Sequence, residues 1–442
     1  MSRVRVVGGG LAGVEAAHFL SGKGIEVDLF EMRPRAMTPA HKTGWLAELV
    51  CSNSFKGIDP LTAHGILKRE MAGLGSLVLE VAEQTKVPAG KALAVDREAF
   101  SSRITAHIES SPLITTLREE FQVIDPALPT IIASGPLTSD ALVSSLAGVT
   151  GTDRLFFYDA ISPILDAESI DMDSAFFASR WSEGSDDYLN CPLDREAYQG
   201  FVAELLEADR VQAHAFEDAR YFESCLPIEV VAGRGSDALR FGTMRPVGLV
   251  DPKTGKRPFA VVQLRKENLK GNAYTMVGFQ TRLTFPEQER VIRMIPALSH
   301  ARFLRHGSIH RNTYLDSPRV LEQDLSLKGS PALFLAGQIT GVEGYMESAA
   351  TGILAGVSLL ARLKGRQFSP PGAETALGAL IHYITDQNTA SFQPTNTNFG
   401  IMEQPDVPKK GRAEVRSERA DLSFRQWLKG LDDVLGRESI KG

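Results

Sequence analysis

Residues 4–13 read VRVVGGGLAG, and residues 25–31 read IEVDLFE. Val4–Val7 is a β-branched run that stops at glycine, the pattern of a buried strand entering a tight turn. Leu11–Leu20 then carries apolar residues at helical spacing, and Ile25–Phe30 reads as a second strand. A strand, helix and strand in this order predict a parallel sheet with a right-handed crossover. The turn is Gly8-x-Gly10-x-x-Gly13. Its first glycine permits the turn, its second lets the backbone approach a pyrophosphate, and its third lets helix and strand pack closely. Gly9, Leu11 and Ala12 complete the turn, whose helix start favours a negative group. Glu31 closes the second strand, where a carboxylate can accept from both ribose hydroxyls, and Arg33 follows it. NAD, FAD and S-adenosylmethionine all use related turns, so this stretch sets the fold without choosing the ligand.

Two more strands of the same kind lie far along the chain. Thr130–Ala133 ends in a Gly135-Pro136 turn, and Ala332–Ala336 ends at Gly337 before a helix expected over residues 347–363. The fold class is therefore α/β, a Rossmann-like dinucleotide-binding domain built from both chain ends, with an inserted α+β domain. The expected divisions are 1–140, 141–325 and 326–442. A Pro-rich linker at 366–372 leads to a helical C-terminus, interrupted by FQPTNTNFG at 392–400. A second glycine motif, LAGQITGVEGY at 335–345, places Gly337, Gly341, Glu343, Gly344 and Tyr345 before a small-residue helix. Backbone amides at both ends of a long cleft suit FAD. Close helix packing through Gly341, Gly344 and Gly352 is the alternative.

The 442 residues carry 48 Lys plus Arg against 54 Asp plus Glu, a formal charge of −6. That excludes a uniformly cationic nucleic-acid coat, so any RNA contact must use local patches. Three cysteines, Cys51, Cys191 and Cys225, without a C-x-x-C pair argue against a disulfide framework or structural zinc and fit a reducing cytoplasm. No metal site is expected: the histidines lack carboxylates at ligand spacing, although His306 and His310 would share a face on a helix. The longest apolar run, Gly352–Ala361, is short for a membrane span. The clearest basic stretch is 300–320, with Arg302, Arg305, His306, His310, Arg311 and Arg319 against Asp316. Lys253, Lys256 and Arg257 flank a Thr-Gly turn and would project from a hairpin tip. Cys51, in Val-Cys-Ser-Asn-Ser, reads as a helix start; Cys191, before Pro192, reads as a residue of a helix cap region.

Several longer stretches together resemble one family. They are EMRPRAMTPAH (31–41), ELVCSNS (48–54), VPAGKALAVDREAF (87–100), ASGPLTS (133–139), YLNCP (188–192), FGTMRPVGL (241–249), GKRPFAVVQLR (255–265), HRNTYL (310–315), AGQITGVEGYMESAATG (336–352) and FQPTNTNFG (392–400). The chain is similar to the folate- and FAD-dependent tRNA (uracil-5-)-methyltransferases, the TrmFO flavoproteins. The last two stretches also resemble, more loosely, the GidA flavoprotein. Gly9, Phe55 and Arg245 stand where alanine, leucine and lysine are common in the family, and none removes a group the chemistry needs. The resemblance implies FAD as cofactor, NADPH (or NADH) as reductant and 5,10-methylenetetrahydrofolate as carbon donor, with 5-methyluridine at uridine 54 of tRNA as product. A paralogous branch with the same motifs acts on ribosomal RNA. Such chemistry needs a thiol, a flavin and an acid–base partner. By the resemblance Cys225 is placed as nucleophile on C6 and Cys51 as the second thiol near the flavin, an assignment that can be reversed. It leaves Lys253, Lys256, Arg257, Arg305, His310 and Arg311 as candidate RNA or folate contacts. Without it, the two glycine motifs support an FAD/NADPH oxidoreductase acting on a small molecule equally well, and a flavin-binding scaffold without turnover is the third reading.

Overall fold

The computed structural model describes residues 3–151, 155–180, 186–211, 226–389 and 392–436; for 155–159 and 309–311 only the backbone is described. Strand β1 (Arg3–Val7) leads into helix α1 (Leu11–Ser21) and strand β2 (Glu26–Phe30). The same sheet takes in β3 (Ile114–Leu117), β4 (Thr130–Ile132), β5 (Ser326–Leu327) and β6 (Ser330–Leu335). Helix α2 (Tyr345–Leu363) follows β6. The strand order is β5-β6-β4-β1-β2-β3, parallel throughout except for the short β5. Both chain ends thus build one sheet. Thr130, Ile131 and Ile132 of β4 are buried in succession, as a strand covered on both faces requires.

Helices α1 and α2 pack side by side over this sheet, and the approach is set by small residues. A Cβ on Gly352 would overlap the backbone of Ala12, and one on Gly13 would overlap the carbonyl of Gly8. By length and composition α2 is long and apolar enough to cross a membrane, longer than the run from Gly352 suggested, because Tyr345, Met346 and a string of small residues extend it. It is 83% buried inside the protein, against α1 and the sheet.

The middle of the chain forms a second sheet with its own core. Its strands are, in spatial order, Phe176–Phe177, Tyr188–Leu193, Ala260–Lys266, Ala273–Met276, Ile164–Asp166 and Phe303–Arg305, all antiparallel. The helices Arg195–Glu207 and Phe285–Ile292 contribute Phe201, Leu205 and Val291 to this core. Cys191 lies inside the strand Tyr188–Leu193, opposite Val262 and fully buried, so the expected cap-region role is corrected: the helix begins only after Asp194. Burial pushes its thiol far up, which leaves it a packing residue. The strands Leu155–Ala160 and Ile309–Tyr314 pair antiparallel as a separate two-stranded sheet, with Tyr314 in the first core.

Two interior carboxylates cap helices of the first core. Glu15 on α1 accepts from Ser76 and from the amides of Leu77 and Val78, at the start of the helix Leu77–Gln84. Glu70 accepts from the amides of Ala376 and Leu377, at 3.0 and 2.8 Å, where the helix Ala376–Thr385 begins. Burial pushes Glu15 up to about 7 and Glu70 up to about 8, against the hydrogen bonds that pull each down. A carboxyl whose folded pKa is raised stabilises the fold only while protonated. That contribution is present below about 4.5 and is lost as pH rises through 7 and 8. A Glu70→Gln variant should therefore show a shallower fall in Tm between pH 5 and pH 8 than the parent protein. Equal slopes in a pH series of thermal melts would contradict this.

Candidate functional site: a dinucleotide cleft beside a cysteine loop

The β1–α1 turn opens onto a cleft. Gly8, Gly9, Gly10, Leu11 and Ala12 form one wall, and Glu31 and Arg33 stand at the end of β2. Ser134–Ser139 after β4 form the opposite wall, and Gly337, Gln338, Tyr345 and Ser348 close the far end. The turn behaves as its spacing predicts. Gly8 has φ +105° and packs on the backbone of Ala133, while a Cβ on Gly10 would meet nothing within 4 Å. The empty volume at Gly10 sits at the amide end of α1, where a pyrophosphate would find unpaired N–H groups and a positive dipole.

Glu31 is placed differently from a free ribose acceptor. Its Oε1 accepts from the backbone N–H and Nε of Arg33, both at 2.9 Å. Its Oε2 accepts from Gly9 N–H at 3.1 Å and Arg33 Nη2 at 3.0 Å. Burial works against its charge, but the Arg33 bonds and guanidinium outweigh this and hold the carboxyl below the usual range. Arg33 also reaches Glu48 at 3.1 Å, so the two acids hold this cation against the cleft wall.

The second glycine motif splits in two. Gly337 and Tyr345 line the cleft, whereas Gly341, Glu343 and Gly344 do not. Gly341 has φ +81°, and a Cβ there would overlap the ring of Phe392. Glu343 accepts from Gln338 Nε2 at 2.7 Å, and its own N–H donates to Thr395. Gly341 and Glu343 fasten the FQPTNTNFG segment to the start of α2, and Gly344, at φ +119°, ends the turn.

Cys51 lies in an irregular loop before the strand Ser54–Gly57, not at a helix start, so the helix-dipole expectation is corrected. Three distant elements fix that loop. Tyr345 Oη accepts from the N–H groups of Cys51 and Ser52, at 2.8 and 3.1 Å. Arg97, on the helix Arg97–Ser110, donates to the carbonyl of Leu49 at 2.8 Å. Arg265, from the second sheet, donates to Ser52 Oγ at 3.0 Å and Asn53 Oδ1 at 2.9 Å. Arg97, Arg265 and Arg305 all interact electrostatically with Cys51. A partly exposed thiol facing guanidiniums is the environment of a reactive cysteine. Tyr345 joins the two sites: its ring lines the cleft and its hydroxyl holds the thiol loop. Sequence carries no signal for this bond, which spans nearly 300 residues. Cys225 lies outside the described residues, and the side chains of His310 and Arg311 lie outside what is described.

The remaining basic candidates are scattered. Lys253 donates to the backbone carbonyls of Met172 and Asp173, beside the exposed Lys256 and Arg257, and none of the three lines the cleft. The stretch 300–320 does not form one patch. Arg302 pairs with Asp166 at 2.7 Å, His306 with Glu289 at 3.0 Å and Arg319 with Asp316 at 3.0 Å. Phe303–Arg305 and Ile309–Tyr314 are strands, so His306 and His310 share no helix face. Among the described residues no cluster of metal-ligating side chains is present.

The cleft at the carboxyl ends of β1, β2, β4 and β6, with its glycine turn, defines the chain as a dinucleotide-binding α/β protein. Two crystal forms of Aquifex aeolicus GidA share the fold, each with TM-score 0.71 and 18% identity; one covers 99% of this chain and 74% of that chain. The model of the family "Glucose inhibited division protein A" matches residues 3–367. A protein of Desulfotalea psychrophila is 52% identical over 97% of both chains, and one of Moorella thermoacetica is 54% identical over 96% of this chain and 97% of its own. Both are named methylenetetrahydrofolate--tRNA-(uracil-5-)-methyltransferase TrmFO, as is an Aquifex aeolicus relative 52% identical over 97% of this chain. The chain belongs to the TrmFO family, within the wider GidA group.

Proposed function

We propose that this chain is a folate- and FAD-dependent RNA methyltransferase that places a methyl group on C5 of a uridine in tRNA. The observation that carries the reading is the coupling, through Tyr345, of a dinucleotide cleft to a loop presenting a thiol. The residues fit FAD: open volume at Gly10, α1 amides for the pyrophosphate, and a second glycine turn at Gly337. Arg33 and Gly9 already fill the acceptor positions of Glu31, so a ribose hydroxyl would replace one of those donors. Bound there, the flavin supplies the hydride that takes a C5 methylene to methyl, with NADPH as reductant and 5,10-methylenetetrahydrofolate as carbon source.

The chain's own thiols do the rest. Uracil C5 is a poor nucleophile until a thiolate adds to C6 and makes the enolate. Cys225 takes that role by the family resemblance. Cys51, held beside the cleft by Tyr345 and Arg265, removes the C5 proton. Uridine 54 of the tRNA T-loop is the proposed target.

The test is to incubate protein, NADPH and methylenetetrahydrofolate with an unmodified tRNA transcript and read digested nucleosides by mass spectrometry. The expected product is 5-methyluridine that requires folate and is indifferent to S-adenosylmethionine. Product only from a ribosomal RNA fragment would move the reading to the paralogous substrate. No product from either RNA, with a flavin that NADPH still bleaches, would return it to a small-molecule oxidoreductase.

A further inference from the structure

The cations between the loop after β2 and the Cys51 loop outnumber their acids. Glu31 and Glu48 hold Arg33, and Glu267 holds Arg97 while also accepting from Thr275. Glu48 is occupied further by Thr43 and by the backbone N–H of Lys42. His41 is held down to about 4 by burial and by Arg33, so it is neutral at pH 7. Arg265 spends its guanidinium on Ser52 Oγ and Asn53 Oδ1. The side chains of Lys42 and Arg305 remain. Among the described residues neither forms an ion pair, and Arg305 makes one long hydrogen bond, 3.4 Å, to the carbonyl of Ala40. The Arg305 guanidinium lies close enough to repel Lys42, and Arg97 repels both, while Glu48 attracts Lys42 and Glu267 attracts Arg305 from beyond ion-pair distance. They arrive from different cores: Lys42 from the loop after β2, Arg305 from the edge strand Phe303–Arg305 of the second sheet. Lys42 is exposed and Arg305 half-buried. Two cations from different cores, neither within ion-pair distance of a carboxylate among the described residues, are an arrangement that a bound phosphate completes.

We propose that Lys42 and Arg305 clamp the RNA phosphodiester that flanks the target nucleotide, seating that nucleotide beside Cys51. This inference rests on the RNA-methylation reading above and adds where the backbone is gripped. An enzyme that acts on a base must take it out of its stack, and a base entering a cleft brings its flanking phosphates to the rim. Arg305 reaches the carbonyl of Ala40, and Lys42 follows His41, which lines the cleft. With a chain charge of −6, the grip on RNA must come from such local surpluses. Arg302 and Arg319 are already paired with carboxylates and offer none. The glutamate carboxylate of the folate is the other anion that could use the same pair, and the experiment separates the two.

The experiment measures Kd for an unmodified tRNA transcript by filter binding over a salt series, and KM for methylenetetrahydrofolate in the methylation assay. Lys42→Gln and Arg305→Gln should each raise the RNA Kd about tenfold. Each should also reduce the slope of log Kd against log salt by about 1, the loss of one phosphate contact. Arg305→Lys should recover most of the affinity, and Arg366→Gln, in the distant linker, should change nothing. Bound flavin and Tm report that each variant is folded. Unchanged RNA Kd and slope in both Gln variants would overturn the clamp, the more so if the folate KM rises instead. If the parent protein methylates RNA while the variants bind as it does, only the clamp falls. If the parent protein binds no RNA, the RNA reading falls with it.

Discussion

Gly10→Glu should yield a protein that folds, melts near the temperature of flavin-stripped parent protein and purifies without flavin. A Cβ at this position meets nothing within 4 Å, so the backbone accepts a side chain. Nothing is displaced except what the cleft would hold. The added carboxylate would stand at the amide end of α1, where a pyrophosphate belongs, and two negative groups cannot share it. The neighbouring glycines separate cofactor binding from folding. A Cβ on Gly13 overlaps the carbonyl of Gly8, and one on Gly352 overlaps Ala12. Gly352→Val should therefore cost about 3 kcal/mol or more through overpacking between α1 and α2, and lose flavin only because it loses structure. Visible absorbance and a thermal melt on the two variants check both statements. A yellow Gly10→Glu protein would remove the pyrophosphate from this turn.

The parts of this site that were readable in sequence are those encoded within a few residues. Val4–Gly13 carries its strand, turn and helix start in contiguous residues, and β1, α1 and β2 lie within a residue or so of where periodicity puts them. Helix α2 begins two residues earlier than its small-residue run suggested, because Gly344, at φ +119°, ends the turn and frees Tyr345 to start the helix. Contacts across hundreds of residues were not readable. A polar Val-Cys-Ser-Asn-Ser segment looks like a helix start, yet Ser52 and Asn53 give their side chains to Arg265 from the other sheet. The stretch 300–320 looks like a basic face, yet Asp166, Glu168 and Glu289 come from elsewhere to neutralise much of it. Local charge counts miss partners that only folding supplies. What survives that neutralisation, Arg305 with Lys42, could be found only after the pairing was known.

Cys51→Ala should retain flavin and lower the rate of methyl transfer by about 10²–10⁴-fold, the range of a lost general base. The separation is clean because the loop does not hang on the sulfur. Its anchors are the Cys51 and Ser52 amides on Tyr345, the Leu49 carbonyl on Arg97, and the Ser52 and Asn53 side chains on Arg265. Alanine keeps every one of them, so fold, cleft and RNA affinity should stay at the parent level while the chemical step fails. Tyr345→Phe makes the complementary case. It keeps the thiol but removes the acceptor for two amides, so the loop loses its tie to the cleft. A thiol displaced by about an ångström is enough to lose about a hundredfold. Tyr345→Phe should therefore lower kcat with little change in KM for RNA, without removing the reactive group. Single-turnover methylation, read beside flavin absorbance, distinguishes the two. Parent-level methylation by Cys51→Ala would take the base role from this residue. A Tyr345→Phe variant at full rate would show that the bond between cleft and loop is not what positions the thiol.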